Sequence, residues 1–272
     1  MEGDRRVKPA PFEYAAPRSL EEALGLLGEE AKPLAGGQSL VPLLNFRLAR
    51  PELLVDINGL SELARIRRGD DGVLRIGALT RQSELERSEL VAAEWPLLTQ
   101  AVRLVGHPQI RNRGTVGGSV AHADPAAEVP VALAALGARF VARSPRGGRT
   151  LCAGDLFVGP LMTALEPDEL LVEIEVPPVP EEAGCAFVEH ARTAGDFAIA
   201  GAAAVVVPAR HAAIALLGAG PVPVRASDAE GALVAGAEPR EAAALAASHI
   251  GKGPRRALVA ELVRRALEEA AR

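Results

Sequence analysis

The chain reads as an α+β protein built from two units, and three features of the sequence say so. Strand-like and helix-spaced runs alternate through its first part. A proline cluster, Pro177-Pro178-Val179-Pro180, then breaks every period, and three alternating strand-like runs followed by three helical ones fill the remainder. A length of 272 residues suits about two domains of roughly 100 to 200 residues each, and 49% apolar residues can furnish a core for both.

Taken in order, Ser19-Leu20-Glu21-Glu22 has capping-box spacing, with Leu20, Ala23, Leu24 and Leu27 at helical intervals, which predicts a helix over 19–28. Lys32 to Ala35 is extended and enters a first glycine turn, Ala35-Gly36-Gly37-Gln38-Ser39. Ser39 is placed to cap a helix running through Leu43 and Phe46, with Pro42 tolerated in its first turn. Strands are expected at 53–57 and 73–77, so that the first ~80 residues form a small α/β unit. Helical spacing over 80–105 is broken at Pro96. A second glycine turn, Thr115-Val116-Gly117-Gly118-Ser119, leads into a helix start. Asp124-Pro125 predicts another, with Asp124 as N-cap, Pro125 in the first helical position, and Val129, Leu133 and Leu136 on one face. Strands follow at 138–144 and 170–176. Beyond the proline linker at 177–182, strands are expected at 184–191, 198–208 and 211–217, and helices near 226–235, 239–249 and 255–270.

Composition removes several functional classes. A net charge of -5 with both signs interspersed offers no broad basic face, so no nucleic-acid partner is expected. Cys152 and Cys185 stand alone, and the histidines at 107, 122, 190, 211 and 249 lack metal-ligand spacing; zinc and iron–sulfur sites are therefore not expected in this chain, and any cluster belongs to a partner. No apolar run approaches the ~18 residues of a membrane span, and Met1 to Arg6 lead into Pro9 and Pro11 rather than into an apolar leader segment, so a cytoplasmic location is expected. Gln38 stands where a P-loop would carry lysine, which disfavours an NTPase. Ala215 to Pro223 imitates the start of a dinucleotide fingerprint, but Pro221 and Pro223 fall where its helix should run, so it reads as a turn ending a strand. No nucleophile elbow or HExxH motif supports hydrolysis.

The two glycine turns carry the functional reading. Each follows a short apolar run and ends in a hydroxyl residue at an expected helix start, where bare backbone amides and the helix dipole favour an anion. Either pair alone reads equally well as turn glycines; together they suit the diphosphate of a dinucleotide, read here as FAD. His122, Asp124 and Glu128 continue the second turn. Asp124 is either a plain N-cap or an acceptor for ribityl or ribose hydroxyls, Glu128 is either that or a solvated helical residue, and His122 is a candidate by proximity alone. Phe197 is either a contact to a flavin face or a core residue.

Ala35-Gly36-Gly37-Gln38-Ser39-Leu40, then Gln109-Ile110-Arg111-Asn112-Arg113-Gly114-Thr115-Val116-Gly117-Gly118-Ser119, then His122-Ala123-Asp124-Pro125, resemble the FAD-binding medium subunits of molybdenum hydroxylases, the xanthine dehydrogenase and aerobic carbon-monoxide dehydrogenase family. The likeness runs on through Phe157 to Pro160, Pro167 to Leu171, Arg192 to Ala198 and Gly218 to Arg225. It implies the two-subdomain FAD-binding fold of vanillyl-alcohol oxidase and p-cresol methylhydroxylase over 1–177 (subdomains about 1–58 and 59–177), with the family's C-terminal domain over 183–272. It also implies non-covalent FAD at Leu34, Ala35, Gly36, Gly37, Gln38, Ser39 and Leu40, and at Gly106, Ile110, Thr115, Gly117, Gly118 and Ser119. The carboxylate near the sugar chain would be Asp124 or Glu128, and the strand residue lining the ring Leu171 or Val172. Relatives work beside a molybdopterin-binding large subunit and a small subunit with two two-iron clusters, passing electrons to NAD, quinone or oxygen; no acid or base on this chain is required. The sequence departs from the family at Glu189, where many members have lysine, and at Gly253-Pro254, where tyrosine is common; the cysteine-bearing insertion of the benzoyl-CoA-type branch is absent. A self-sufficient FAD oxidoreductase of the same fold and a nucleotide-binding regulatory module are the rival readings.

Overall fold

The computed structural model describes residues 8–272, so the Met1 to Arg6 segment behind the leader-peptide expectation lies outside the described residues. The first lobe alternates β1 (Glu13–Ala15), α1 (Leu20–Leu26), β2 (Ala31–Leu34), α2 (Leu40–Asn45) and β3 (Leu53–Asp56). Its three strands are parallel in the order β1-β3-β2, with Ala15 opposite Val55 and Leu34 opposite Asp56. The expected helix cap is present: the Ser19 hydroxyl accepts the Glu22 amide at 3.1 Å, and the Glu22 carboxylate accepts the Arg18 amide at 2.8 Å.

The second lobe opens with β4 (Ile66–Arg68) and β5 (Leu74–Gly77), continues through α3 (Gln82–Arg87), α4 (Glu89–Glu94), α5 (Pro96–Leu104), α6 (Pro108–Arg113), α7 (Val116–His122) and α8 (Glu128–Ala135), and returns as β6 (Arg139–Ser144) and β7 (Gly147–Cys152). The short α9 (Ala153–Leu156) and the hairpin of β8 (Phe157–Gly159) and β9 (Met162–Thr163) precede β10 (Leu170–Val176). Its five-stranded antiparallel sheet has the order β4-β5-β10-β6-β7. The expectation that 73–77 joins the first α/β unit is thereby corrected: β5 pairs on one edge with β4 and on the other with β10, Ile76 facing Ile174, and belongs to the second sheet. The helical stretch over 80–105 breaks at Ser88 as well as before Pro96, because the Ser88 hydroxyl caps α4 by accepting the Val91 amide.

Two helix starts also differ from expectation. Asp124 is not an N-cap, since its carboxylate accepts the Ala126 amide two residues on at 2.8 Å, an Asx-turn, and α8 begins at Glu128 with Ala127 before it. Ser39 holds the position before α2, but its hydroxyl makes no capping bond.

After the proline segment come β11 (Gly184–His190), β12 (Ala200–Val207), β13 (His211–Leu217) and β14 (Val224–Arg225), then α10 (Ser227–Val234), α11 (Pro239–Ala246) and α12 (Pro254–Ala270). The antiparallel sheet thus has four strands, not three. Arg225 and the Ile214 amide both bind the Glu230 carboxylate, at 2.8 and 2.7 Å, which holds the two-residue β14 against β13. Alternation along β12 serves both faces: Ala202, Ala204 and Val206 pack in a cluster with α10, α11 and α12, while Ala203 and Val205 join the core of the second lobe with Leu98 and Leu133. The turn after β13, at Gly218, ends the strand as expected, and its carbonyl accepts Arg255 Nε at 2.8 Å.

Candidate functional site

The two glycine turns meet. A Cβ added to Gly36 would collide with the Arg113 carbonyl oxygen and stand 2.8 Å from Gly114 Cα, and one added to Gly118 would lie 4.0 Å from the Ala35 methyl. Gly37 has φ +72°, a left-handed conformation that L side chains resist. Among the described residues, the amides of Gly37, Gln38, Ser39 and Leu40 donate to no protein acceptor, so the first turn presents a row of free donors at the start of α2. Such a row is the chemistry of an anion cradle.

The second turn works differently from expectation. Its glycines are not a bend before a helix; they lie inside the first turn of α7, with Thr115 as N-cap. The amides of Val116, Gly117, Gly118 and Ser119 are already committed, to the Thr80 carbonyl at 2.9 Å, the Ala78 carbonyl at 2.9 Å, Thr115 Oγ1 at 3.0 Å and the Thr115 carbonyl at 3.1 Å. Gly117 is bare because a Cβ there would stand 2.5 Å from that of Ala78, so its role is close packing of α7 onto the end of β5. The second turn therefore offers the cleft a wall of small residues, Gly118 among them, while the first supplies the open amides.

Behind both turns lies a polar strut. Asn58 Nδ2 donates to the carbonyls of Leu34 and Ala35 at 3.2 and 2.8 Å, and its Oδ1 accepts Arg81 Nη2 at 2.7 Å. Arg81 Nη1 donates in turn to the Arg113 carbonyl at 2.5 Å. Burial, and after it the neighbouring Arg113 charge, lower the Arg81 guanidinium from its ordinary value. Burial works against the Asp56 carboxylate too, but bonds from Tyr14 and Asn58 and the charge of Arg113 hold it below the usual carboxylate range. Asn58 and Arg81 were not singled out from sequence, where they look like an ordinary turn asparagine and a surface arginine, and Arg113 entered only as part of the motif that carries the resemblance.

Three carboxylates gather at the far end of α7. Glu128 is buried, with 6% of its surface exposed, and desolvation pushes it up to about 8, with the Glu189 and Asp124 charges adding to the rise. The solvated-helix reading of Glu128 is thereby removed. Glu189, at the end of β11, is pushed up to about 7 by burial, and its Oε2 is enclosed without a hydrogen-bond partner. His122 ends α7 half-buried. Leu171 and Val172 are both buried in apolar clusters, on opposite faces of β10, and the Val172 carbonyl accepts the Ala78 amide at 2.9 Å. Phe197 is not a core residue: it is 72% exposed, on a loop whose Gly195 packs against His107 and, at 3.1 Å for a built Cβ, the Gly106 carbonyl. That packing sets the loop that carries Phe197 beside Gly106, which in turn lies against the exposed Ile110.

Residues 10–179 match the family described as FAD binding domain in molybdopterin dehydrogenase. The chain belongs to that family. This FAD-binding medium subunit of the molybdenum hydroxylases is 47% identical to the 6-hydroxypseudooxynicotine dehydrogenase complex subunit alpha of Paenarthrobacter nicotinovorans, over 84% of the chain and 79% of the relative. It is 42% identical to the carbon monoxide dehydrogenase medium chain of Hydrogenophaga pseudoflava, over 88% and 85%. Its fold superposes with a TM-score of 0.90 on a chain in the structure of carbon monoxide dehydrogenase from Hydrogenophaga pseudoflava lacking the Mo-pyranopterin moiety, at 41% identity over 97% of this chain and 98% of that one. The medium subunit is thus an oxidoreductase subunit with FAD as its family cofactor, and the unbonded amides of its first turn, packed against the second, fit the diphosphate of that cofactor. No helix among the described residues is long and apolar enough to cross a membrane, and no group of three His, Cys, Asp or Glu among them is arranged to hold a metal ion.

Proposed function

We propose that this subunit holds FAD non-covalently across the two glycine turns and serves as the electron exit of a molybdenum hydroxylase complex. Electrons would come from the iron–sulfur small subunit, substrate would be oxidised on the molybdopterin-binding large subunit, and NAD, quinone or oxygen would be the final acceptor. The observation that carries the reading is that the unbonded Gly37 to Leu40 amides follow Ala35 and Gly36, which pack against Gly118 and Arg113 of the second turn. When bound, FAD takes electrons singly from a cluster and releases them in pairs. The chain's own part is to bind, orient and tune. The amides of Gly37 to Leu40, at the start of α2, would take the diphosphate; Asp124 and Glu128 would take sugar-chain hydroxyls, Glu128 as a protonated donor near neutral pH. Phe197, with Gly106 and Ile110, would cover the ring from the 191–199 loop, and Leu171 and Val172 would back it from β10. We further propose that 1–177 acts as the FAD-binding domain, in subdomains of about 1–58 and 59–177, with 183–272 as the C-terminal domain.

Purification of the chain alone and with its partner subunits tests this. The chain alone should show flavin absorption, and the complex should add molybdenum and iron–sulfur absorbance and substrate turnover. Protein that takes up no FAD would overturn the cofactor assignment, and robust substrate turnover by the chain alone would favour the self-sufficient oxidoreductase.

A further inference from the structure

We infer that Asn58 and Arg81 form a clasp that fixes the two glycine turns at one separation and turns their carbonyl oxygens away from the cleft, making them positioning residues for the dinucleotide's diphosphate. The inference rests on the proposed FAD site and deepens it.

The clasp is a continuous run of hydrogen bonds between lobes. Asn58, just after β3, grips the Ala35 carbonyl at the entry to the first turn at 2.8 Å, with the Leu34 carbonyl sharing the same NH2 group at 3.2 Å. Its remaining oxygen accepts Arg81 at 2.7 Å, and Arg81, just ahead of α3, reaches the Arg113 carbonyl with its other terminal nitrogen. Arg113 is also the residue whose carbonyl meets Gly36. The node is held by backbone as well: Arg81 bridges Thr115, and the Gln82 amide donates to the Gly114 carbonyl at 2.9 Å. Asn58 is itself oriented by Asp56, whose Oδ1 accepts both the Asn58 amide at 3.0 Å and its Nδ2 at 2.7 Å.

Peptide planarity converts these bonds into a function. Within one peptide unit the C=O and the following N–H point in opposite directions. Pinning the Ala35 carbonyl to Asn58 therefore turns the Gly36 amide the other way; the Leu34 carbonyl is held already by the Ile57 backbone amide at 3.1 Å. Carbonyl oxygens that would repel a diphosphate are neutralised by an amide and a guanidinium, and the open amides that follow are left facing outward. The Asn58 amide and the Arg81 fork suit the task because each joins separate partners with one rigid planar group; lysine would offer a single point charge.

The test uses the full chain, with Asn58→Ala, Arg81→Gln, Arg81→Lys and the Asn58→Ala/Arg81→Gln double variant. FAD dissociation constants come from flavin fluorescence, and amide exchange is followed in apoprotein at Val41, Leu43 and Gln82, whose amides bind the Gly37, Ser39 and Gly114 carbonyls, and, as a reference, in β12 and β13. Each single variant, Arg81→Lys included, should bind FAD about tenfold more weakly or worse. The double variant should lose little beyond the worse single, because both residues act through one connection. Exchange should rise at Val41, Leu43 and Gln82 and stay unchanged in β12 and β13, which general loss of stability would not produce. Single variants that bind FAD within about twofold of the parent, losses that multiply in the double variant, or unaltered exchange at Val41, Leu43 and Gln82 would each overturn the clasp. A parent chain that takes up no FAD would overturn the cofactor reading instead, and the exchange measurement would still decide the clasp.

Discussion

Gly36 and Gly37 are neighbours that resist substitution for unrelated reasons. At Gly36 the obstacle is outside the residue, in the Arg113 carbonyl and Gly114 backbone of the other lobe; at Gly37 it is the residue's own φ of +72°. Gly36→Ala should therefore part the two turns and lower FAD affinity, measured by flavin release on dialysis. Gly37→Ala should cost roughly 1 to 2 kcal/mol in denaturant-monitored stability through left-handed strain. Both glycines were legible in sequence as an anion turn, yet which of them faces the other lobe was not, since that depends on residues some way along the chain. Glu128 gives a second residue-scale expectation. Its folded value near 8 lies above its ordinary value near 4.5, so the folded state keeps a proton that the unfolded chain has lost. Its stabilising contribution is complete below about pH 4.5 and is lost as pH rises through about 8, and Glu189 behaves alike up to about 7. Glu128→Gln should flatten the fall in melting temperature between about pH 5 and pH 8; an unaltered slope would mean that Glu128 keeps an ordinary carboxylate value in the folded protein.

At the scale of elements, the helix whose cap was spelled out by local residues, α1, is where the capping box put it, because a serine and a glutamate three apart interact without outside help. The start of α7 was hidden. Two glycines read as a bend, but Thr115 caps a helix there, and the Ala78 backbone makes room only for a bare α-carbon. Thr115→Val should remove the acceptor for the Gly118 amide and cost about 1 kcal/mol, seen as a lower urea midpoint. A comparable contact joins α5 to the edge of the last sheet. Gln100 imitates a neighbouring strand: its Oε1 accepts the Phe187 amide at 2.8 Å and its Nε2 donates to the Cys185 carbonyl at 3.2 Å. Gln100→Leu would leave two groups of β11 unpaired at a covered edge and should cost about 1 to 3 kcal/mol, with faster amide exchange at Phe187. No local pattern announces such a pairing, because its partners are far apart along the chain.

For the whole molecule, the proline segment between β10 and β11 does not separate two independent cores. Trp95 donates to the Pro177 carbonyl at 2.8 Å, and one apolar cluster joins Trp95, Leu98 and Leu133 to Phe187, Val205 and Leu217 beyond the segment. Calorimetry should accordingly record one cooperative transition; two resolved transitions would mean that this shared cluster contributes little. Periodicity, caps and proline placement are properties of neighbouring residues, so the amino-acid sequence alone determined the order of the longer strands and helices, the presence of two glycine pairs and, through their wording, the family. Those properties carry no information about which strand pairs with which or which backbone groups remain unpaired. Only the tertiary structure assigned 74–77 to the second sheet, committed the amides of the second turn to Thr80, Ala78 and Thr115 while leaving those of the first open, and set Asn58 and Arg81 between the turns, because each of these outcomes depends on distances between residues remote in sequence.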